Sequence, residues 1–153
     1  MRAYRVTLAA YAGNAAQAFS GQGGLVGMGR WHTAGRPVVY AARSLALAAL
    51  EALVHLHRST KIAPYVHLEI DIPDAHVAVV KALPKDWQTN VAATQAFGDA
   101  WLAVRSSVAL VVPSVIIPTE SNVVVNPAHP DFDLSWVVVG PKSFSFDPRL
   151  TKP

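Results

Sequence analysis

The chain has 153 residues, no cysteine, 15% charged and 52% hydrophobic residues. This length fits one domain, and the absence of cysteine excludes a disulfide framework, a catalytic thiolate and a zinc site built on thiolates. The net charge of +3 comes from scattered Lys and Arg, so no nucleic-acid-binding patch is predicted. No apolar run approaches the roughly 18 residues of a membrane span. Without a signal-peptide pattern at the N-terminus, we expect a cytoplasmic protein that binds no membrane.

The first third of the chain predicts a strand, a long loop, a second strand and a helix. Residues 2–7 alternate weakly, as in a strand, and include Arg5. Residues 8–37 hold all but two of the nine glycines, which predicts a long structured loop. Residues 38–41 predict a buried strand, and Ser44 is a suitable N-cap for a helix over 45–58.

The rest of the chain contains more strands than helices. Alternation over 64–72 predicts a half-exposed strand, and the spacing of Phe97, Trp101 and Val104 predicts a helix over 90–105. The other predicted strands cover 76–80, 108–112, 115–117, 122–125, 135–139 and 143–146. Because the order is not a regular βαβ alternation, we predict a single compact α+β domain over 1–153, with a mixed or antiparallel sheet and flanking helices.

Glu51 is the most informative candidate for chemistry. Every other side chain from Leu45 to Val54 is Leu, Ala or Val, so the helix is expected to be largely buried. A lone carboxylate in such a helix is costly unless it is paired or lies in a wet cleft. Glu51 is therefore interpreted either as a catalytic carboxylate in a pocket, or as a group at a solvent edge that pairs with His55.

Arg30 and Tyr40 are the next candidates. Arg30 ends the Gly-rich loop in Gly29-Arg-Trp-His32, where a guanidinium and free backbone amides could hold phosphate. The alternative is a surface arginine stacked on Trp31. Tyr40 lies in an apolar strand, where a core tyrosine with one satisfied hydroxyl is the simpler interpretation.

Other chemical signatures are weak or missing. Ser114 could cap a turn or bind a ligand hydroxyl, and Asn126 before a proline could form a turn or contact a ligand. No Gly-x-Ser-x-Gly elbow, Walker loop or dinucleotide fingerprint is present. His55 and His57, two residues apart on the predicted helix, would point about 200° apart. We therefore predict no metal site.

An ordered set of segments resembles the RES-domain family, the toxins of RES–Xre toxin–antitoxin pairs. These segments are Gly23-Gly24, Gly29-Arg-Trp-His32, Gly35-Arg-Pro-Val-Val-Tyr-Ala-Ala42, Ser44, Leu50-Glu-Ala-Leu-Val-His55, Thr94-Gln, Gly98-Asp-Ala-Trp101, Val112-Pro-Ser114, Asn122, Asn126-Pro-Ala-His-Pro130 and Phe146-Asp-Pro-Arg-Leu150. The resemblance covers nearly the whole chain. It departs at Gly27-Met28, where many members carry an aromatic residue.

The resemblance implies both a fold and a site. The family fold is similar to diphtheria-toxin-type ADP-ribosyltransferases, and its members act on NAD⁺ as substrate. By the family pattern Arg30, Glu51 and Ser114 resemble the naming residues, and Tyr40 resembles the active-site tyrosine. The candidate catalytic residues are thus Glu51, Arg30 and Tyr40. The candidate substrate-binding residues are Ser114, Asn126, Ser44, Trp31 and His32.

Three functions remain open at this point. The first is a toxin that cleaves the nicotinamide–ribose bond, as an NAD⁺ glycohydrolase or phosphorylase, and is inhibited by an Xre-type antitoxin. The second is a mono-ADP-ribosyltransferase acting on an acceptor protein such as phosphoribosyl pyrophosphate synthetase. The third is a protein-binding module without enzymatic activity.

Overall fold

A computed structural model describes residues 1–56 and 63–150. In these residues one mixed sheet has the strand order β4-β5-β6-β2-β1-β3-β7, in which only β4 and β5 are parallel. The strands are β1 Arg2–Leu8, β2 Val39–Ala42, β3 Tyr65–Asp71, β4 Val77–Val79, β5 Ala109–Pro113, β6 Ser121–Val125 and β7 Val137–Phe144. The α-helices are α1 Ala15–Ala18, α2 Gln22–Val26, α3 Leu45–Val54 and α4 Val91–Val104. The predicted α+β class with a mixed sheet is confirmed.

Both faces of the sheet are covered by apolar side chains. One core cluster contains inward residues of β1, β2, β3, β5 and β6 together with Phe19. A second cluster joins Val124 of β6 and Leu110 of β5 to Trp31 and Trp101. A third, smaller cluster holds α3 through Leu47. The strand register places the second and third clusters on the same face of the sheet, so α3 and Trp31 lie side by side on that face, whereas Phe19 packs on the opposite face.

The sheet splits between β1 and β2. The Cα register pairs β1 with β3 at seven positions, from Arg2 to Leu8, but pairs β1 with β2 only at Tyr4 and Ala42. Beyond that pair the side chain of Arg5 donates from Nη1 to the carbonyl oxygen of Tyr40, over 2.9 Å. The separation of two central strands opens a cleft in the middle of the sheet.

Several predicted elements differ from the structure. The helix predicted over 45–58 ends at Val54. Residues 57 and 58 lie outside the described residues, so the predicted orientation of His57 relative to His55 has no structural counterpart. The predicted burial of this helix is wrong, because only Leu47 and Ala48 are buried. The 8–37 segment is a loop that includes α1 and α2.

Three predicted strands in the last third of the chain also differ from the structure. Residues 115–117 form a turn, because the Ser114 hydroxyl takes the N–H groups of Ile116 and Ile117 that a strand would give to its neighbour. The predicted strands 135–139 and 143–146 are replaced by the single strand β7, whose pairing with β3 shifts register near Glu69. None of the described helices is long and apolar enough to cross a membrane.

Gly98 allows α4 to lie directly on the backbone of Trp31. A Cβ atom at this position would overlap the Trp31 carbonyl oxygen. Gly98→Ala should therefore lower stability by about 1–3 kcal/mol, the usual range for an overpacked core, although alanine is the better helix former. Urea unfolding of the two proteins measures this difference, and a higher midpoint for Gly98→Ala would show that the helix does not contact Trp31 in this way.

Candidate active site

A cavity of about 1160 Å³ lies at the split in the sheet, between α3 and the 20–32 segment. Five of the eight residues predicted from the sequence line it: Arg30, Trp31, His32, Tyr40 and Glu51. The cavity is open to solvent on the side where Val26, Met28 and Val54 are more than half exposed. Glu51 and Arg30 thus face one common space.

Glu51 is oriented by two side chains from the sheet. Its Oε1 accepts a hydrogen bond from Ser114 Oγ at 2.9 Å and another from Asn122 Nδ2 at 2.5 Å. Among the described residues, no salt bridge or hydrogen bond joins Glu51 to His55. One carboxylate oxygen is therefore fixed by the protein, and Oε2 has no hydrogen-bond donor among the described residues.

Ser114 hydrogen-bonds Glu51 and is not part of the cavity wall. Its hydroxyl oxygen accepts the N–H groups of Ile116 and Ile117 at 3.0 and 3.1 Å. With both lone pairs used, the hydroxyl proton is directed to Glu51. Ser114 is fully buried and does not line the cavity.

Ser44 likewise supports Glu51 from a distance. Its Oγ accepts the N–H of Leu47 at 3.1 Å, which caps α3 as predicted, and donates to Glu120 Oε2 at 2.8 Å. Ser44 does not line the cavity. Its cap sets where α3 begins, and Glu51 follows about two turns later.

Asn122, and not Asn126, reaches the cavity. Asn122 is near the start of β6, and its buried Oδ1 has no hydrogen-bond partner among the described residues. Asn126 accepts the N–H of Ala128 at 3.1 Å and lines a separate cavity of about 200 Å³ beside Arg36. The turn-forming alternative for Asn126 is the one that this geometry supports.

Arg30 lies at the edge of the cavity and holds a neighbouring loop. Its Nη1 donates to the carbonyl oxygens of Trp87 and Gln88 at 3.1 and 3.2 Å. Nη2 and Nε of this guanidinium have no acceptor among the described residues. Arg30 is therefore anchored by one nitrogen and retains donors for an anion in the cavity. Trp31 is 2% exposed and stacks on Trp87 at 6.3 Å, which is a core role.

Arg5 is a second cation in the cavity that the sequence interpretation did not select. Burial lowers the pKa of Arg5 to about 10, so the guanidinium is still charged at neutral pH. Nη1 is bound to the Tyr40 carbonyl oxygen, whereas the buried Nε has no partner among the described residues. Arg5 is a charged residue within a predicted strand, just as Glu51 is a charged residue within an apolar helix, and both patterns indicate a charge that needs a partner or a cleft.

Tyr40 and His32 form a hydrogen-bonded pair in the cavity wall. The Tyr40 hydroxyl lies 3.1 Å from the Trp31 N–H and 2.9 Å from His32 Nδ1. Burial raises the pKa of Tyr40 well above its usual range. His32 Nε2 is 3.0 Å from the carbonyl oxygen of Gly27. Both ring nitrogens of His32 thus have protein partners, so the predicted substrate-binding role has no free nitrogen to use.

Comparisons with known proteins agree on one family for this chain. The model of the RES domain matches residues 2–147. A protein named Toxin Res from Yersinia enterocolitica is 37% identical over 98% of this chain and 99% of its own length. Another Toxin Res, from Photorhabdus laumondii, is 40% identical over 97% and 96%. A Prs ADP-ribosylating toxin from a Sphingobium species is 41% identical over 73% of this chain and 74% of its length.

A solved structure shows the same fold. The crystal structure of the MbcT–MbcA toxin–antitoxin complex of M. tuberculosis contains a chain that matches with a TM-score of 0.73. The match covers 98% of this chain and 86% of that chain, at 21% identity.

Proposed function

Since the chain belongs to the RES-domain family, we propose that it is the toxin of a toxin–antitoxin pair and cleaves the nicotinamide–ribose bond of NAD⁺. The observation that carries the proposal is the carboxylate of Glu51, which is fixed on one oxygen and shares a cavity with Arg30 and Arg5. The name Toxin Res of two relatives supports the toxin role, and the name Prs ADP-ribosylating toxin of a third supports chemistry on NAD⁺ as the donor of ADP-ribose.

The chemistry needs a positioned anion more than it needs a strong acid. When the C–N bond to nicotinamide breaks, the electron pair leaves with the neutral nicotinamide, and the ribose carbon passes through an oxocarbenium-like state. An acceptor oxygen then bonds to that carbon and loses its proton. Glu51 Oε2 would hydrogen-bond a ribose hydroxyl and stabilise the developing positive charge. NAD⁺ is thus the substrate, and the step is assigned to side chains of this chain.

The two arginines would hold the dinucleotide. Planar guanidinium groups bind phosphate oxygens with two parallel hydrogen bonds. Arg30 would use its free nitrogens in this way at the edge of the cavity. Arg5 Nε and Asn122 Oδ1 are a buried donor and a buried acceptor without partners among the described residues, and we propose that polar groups of the substrate satisfy them.

Asn122 should be needed for turnover and Asn126 should not. Asn122→Ala removes a hydrogen bond to the charged Glu51, a class of bond with a contribution of about 1.5–3 kcal/mol. We expect kcat for nicotinamide release to fall about 10- to 100-fold. Asn126→Ala, the matched variant outside the large cavity, should keep kcat within a few-fold. Equal losses in two folded variants would reject the assignment of Asn122.

The reaction itself is tested by its products. Purified protein is incubated with NAD⁺, with and without phosphate, and free nicotinamide and the ribosyl product are quantified. Release of nicotinamide is the expected result, and the second product distinguishes water from phosphate as acceptor. No nicotinamide under any condition, and none in the presence of cell lysate, would favour the binding-module alternative.

Transfer to a protein remains the second candidate, because one relative is named a Prs ADP-ribosylating toxin. NAD⁺ labelled in the adenosine half is incubated with the protein and a cell lysate. A single labelled protein band would identify a transferase, whereas label in small molecules only would identify NAD⁺ degradation. We propose degradation as the main reaction.

An antitoxin is the proposed partner. The cavity mouth carries apolar side chains that are largely exposed, with Tyr11 at 64%, Val26 at 86% and Met28 at 71%. Met28 lies where many family members carry an aromatic residue, so this rim stays apolar. We propose that an Xre-type antitoxin covers this mouth in the cytoplasm and blocks NAD⁺. Inhibition of nicotinamide release by the co-purified antitoxin is the expected result.

A further inference from the structure

His32 is buried in the cavity wall between two parts of the chain. It is 3% exposed, and its ring lies 5.6 Å from the ring of Tyr40, centroid to centroid. One side of the imidazole faces the hydroxyl of Tyr40 in β2, and the other faces the carbonyl of Gly27 after α2. The two ring nitrogens therefore connect a central strand to the Gly-rich segment by hydrogen bonds.

The direction of each hydrogen bond follows from the groups involved. A carbonyl oxygen only accepts, so His32 Nε2 carries a proton and donates it to Gly27. In a neutral ring Nδ1 is then an acceptor, and it takes the hydroxyl proton of Tyr40. The Tyr40 oxygen accepts the N–H of Trp31. The chain from Trp31 to Gly27 is complete only when His32 is neutral.

The space around this chain is filled. A Cβ atom on Gly29 would lie 2.6 Å from the Tyr40 hydroxyl and 2.9 Å from His32 Cε1. Gly29 is also paired with His32 as an isolated bridge, and its carbonyl oxygen accepts from Gln95 Nε2 at 2.9 Å. Gly27 and Gly29 flank Met28, and Arg30 follows directly. This packing therefore fixes the backbone positions from which the side chains of Met28 and Arg30 enter the cavity wall.

We propose that His32 is a positioning residue: as a neutral imidazole it ties Gly27 to Tyr40 and so holds the Met28–Arg30 wall in the geometry that NAD⁺ requires. This inference rests on the proposed function for its activity readout. It replaces the substrate-binding role predicted for His32, because both ring nitrogens are bound by protein groups. Protonation of the ring makes Nδ1 a donor, so the Tyr40 hydroxyl loses its acceptor.

The charged surroundings of the ring set the direction of its pH response. Burial lowers the pKa of His32 below its ordinary value of 6.5, and Arg36 adds to this, whereas the bond to Gly27 and the charge of Asp99 in α4 act against it. Arg30 and Asp99 also act on Tyr40. The neutral link is complete above pH 6.5 and is lost as the pH falls through the lowered pKa of the folded protein.

Two variants divide the two hydrogen bonds of His32. His32→Asn places an amide oxygen near the position of Nδ1 and keeps an acceptor for Tyr40. His32→Gln places an amide N–H near the position of Nε2 and keeps a donor for Gly27. His32→Phe keeps a ring but has neither bond. We expect kcat/KM at pH 7.5 to fall about tenfold in His32→Phe, since a buried hydroxyl and carbonyl lose partners. His32→Asn and His32→Gln should each keep a higher kcat/KM than His32→Phe, because each retains one of the two hydrogen bonds.

The pH profile distinguishes positioning from a purely structural role. Wild-type kcat/KM should fall on the acid side below pH 6.5, and this limb should be absent in His32→Asn. An unchanged acid limb in His32→Asn would overturn the proposal, as would equal kcat/KM values in all four proteins.

Nitrogen NMR of the histidine rings tests the network without using activity. The resonance that disappears in His32→Asn should show the Nε2–H tautomer and titrate below 6.5. An Nδ1–H tautomer or an ordinary titration would overturn the inference, even if NAD⁺ is cleaved. If wild-type protein releases no nicotinamide while the ring shows the expected tautomer, the proposed function fails and the His32 link remains.

Discussion

Glu51→Gln is expected to slow the release of nicotinamide from NAD⁺ by a factor on the order of 10²–10³, the usual loss when one preorganised electrostatic contact is removed. Glutamine has the size of glutamate, and its amide oxygen can still accept from Ser114 and Asn122. The fold should therefore be kept while the charge next to the ribose is lost. Initial rates at saturating NAD⁺ measure this effect.

The matched control for this variant is Glu120→Gln. Glu120 is also a hydrogen-bonded carboxylate, since it accepts from Ser44, but it does not line the cavity. Its variant should turn over NAD⁺ within a few-fold of wild type. If Glu51→Gln behaves like Glu120→Gln, the charge of Glu51 has no part in the reaction.

Arg30→Ala should mainly weaken binding of NAD⁺. Hydrogen bonds between charged groups contribute about 1.5–3 kcal/mol, so we expect KM to rise about 10- to 100-fold. Arg5, the other arginine among the described residues of the cavity, lies elsewhere in it and already donates from Nη1 to the Tyr40 carbonyl oxygen. It cannot replace the donors at the cavity edge.

Arg30→Lys separates the charge of Arg30 from its shape. Lysine keeps the positive charge but lacks the planar fork that binds two oxygens at once, so its KM should lie between wild type and Arg30→Ala. Because Arg30 also binds the carbonyl oxygens of Trp87 and Gln88, circular dichroism is used to check that both variants keep the secondary structure of the wild type. Wild-type values of both KM and kcat in Arg30→Ala would remove Arg30 from the site.

The fold class could be predicted because strand and helix periodicity are local patterns. A single charge in an apolar helix likewise pointed to Glu51 as a candidate, and the structure places this side chain in the cavity wall. The burial of α3 could not be predicted, since an apolar helix does not indicate how much of it the sheet covers. The strand over 115–117 failed because the Ser114 side chain takes two backbone N–H groups, which propensity does not describe.

The residues around Glu51 were harder to predict because they depend on strand register. Asn122 and Asn126 are four residues apart in similar sequence, and only the pairing of Asn122 with Val112 and Ala42 places it beside α3. The charge of Arg5 within a predicted strand is visible in the sequence, but its position in the cavity depends on the separation of β1 and β2 after Tyr4. Asn122 and Arg5 are both polar residues in predicted strands, but no sequence pattern indicates that the sheet splits between β1 and β2.

The most direct test of the proposed role of Glu51 and Arg30 is a crystal structure of the Glu51→Gln variant with intact NAD⁺. We predict that the nicotinamide ribose lies within hydrogen-bond distance of residue 51 and that the pyrophosphate contacts Arg30. NAD⁺ bound outside the cavity, or in it with the phosphates at residue 51, would contradict the proposed reaction.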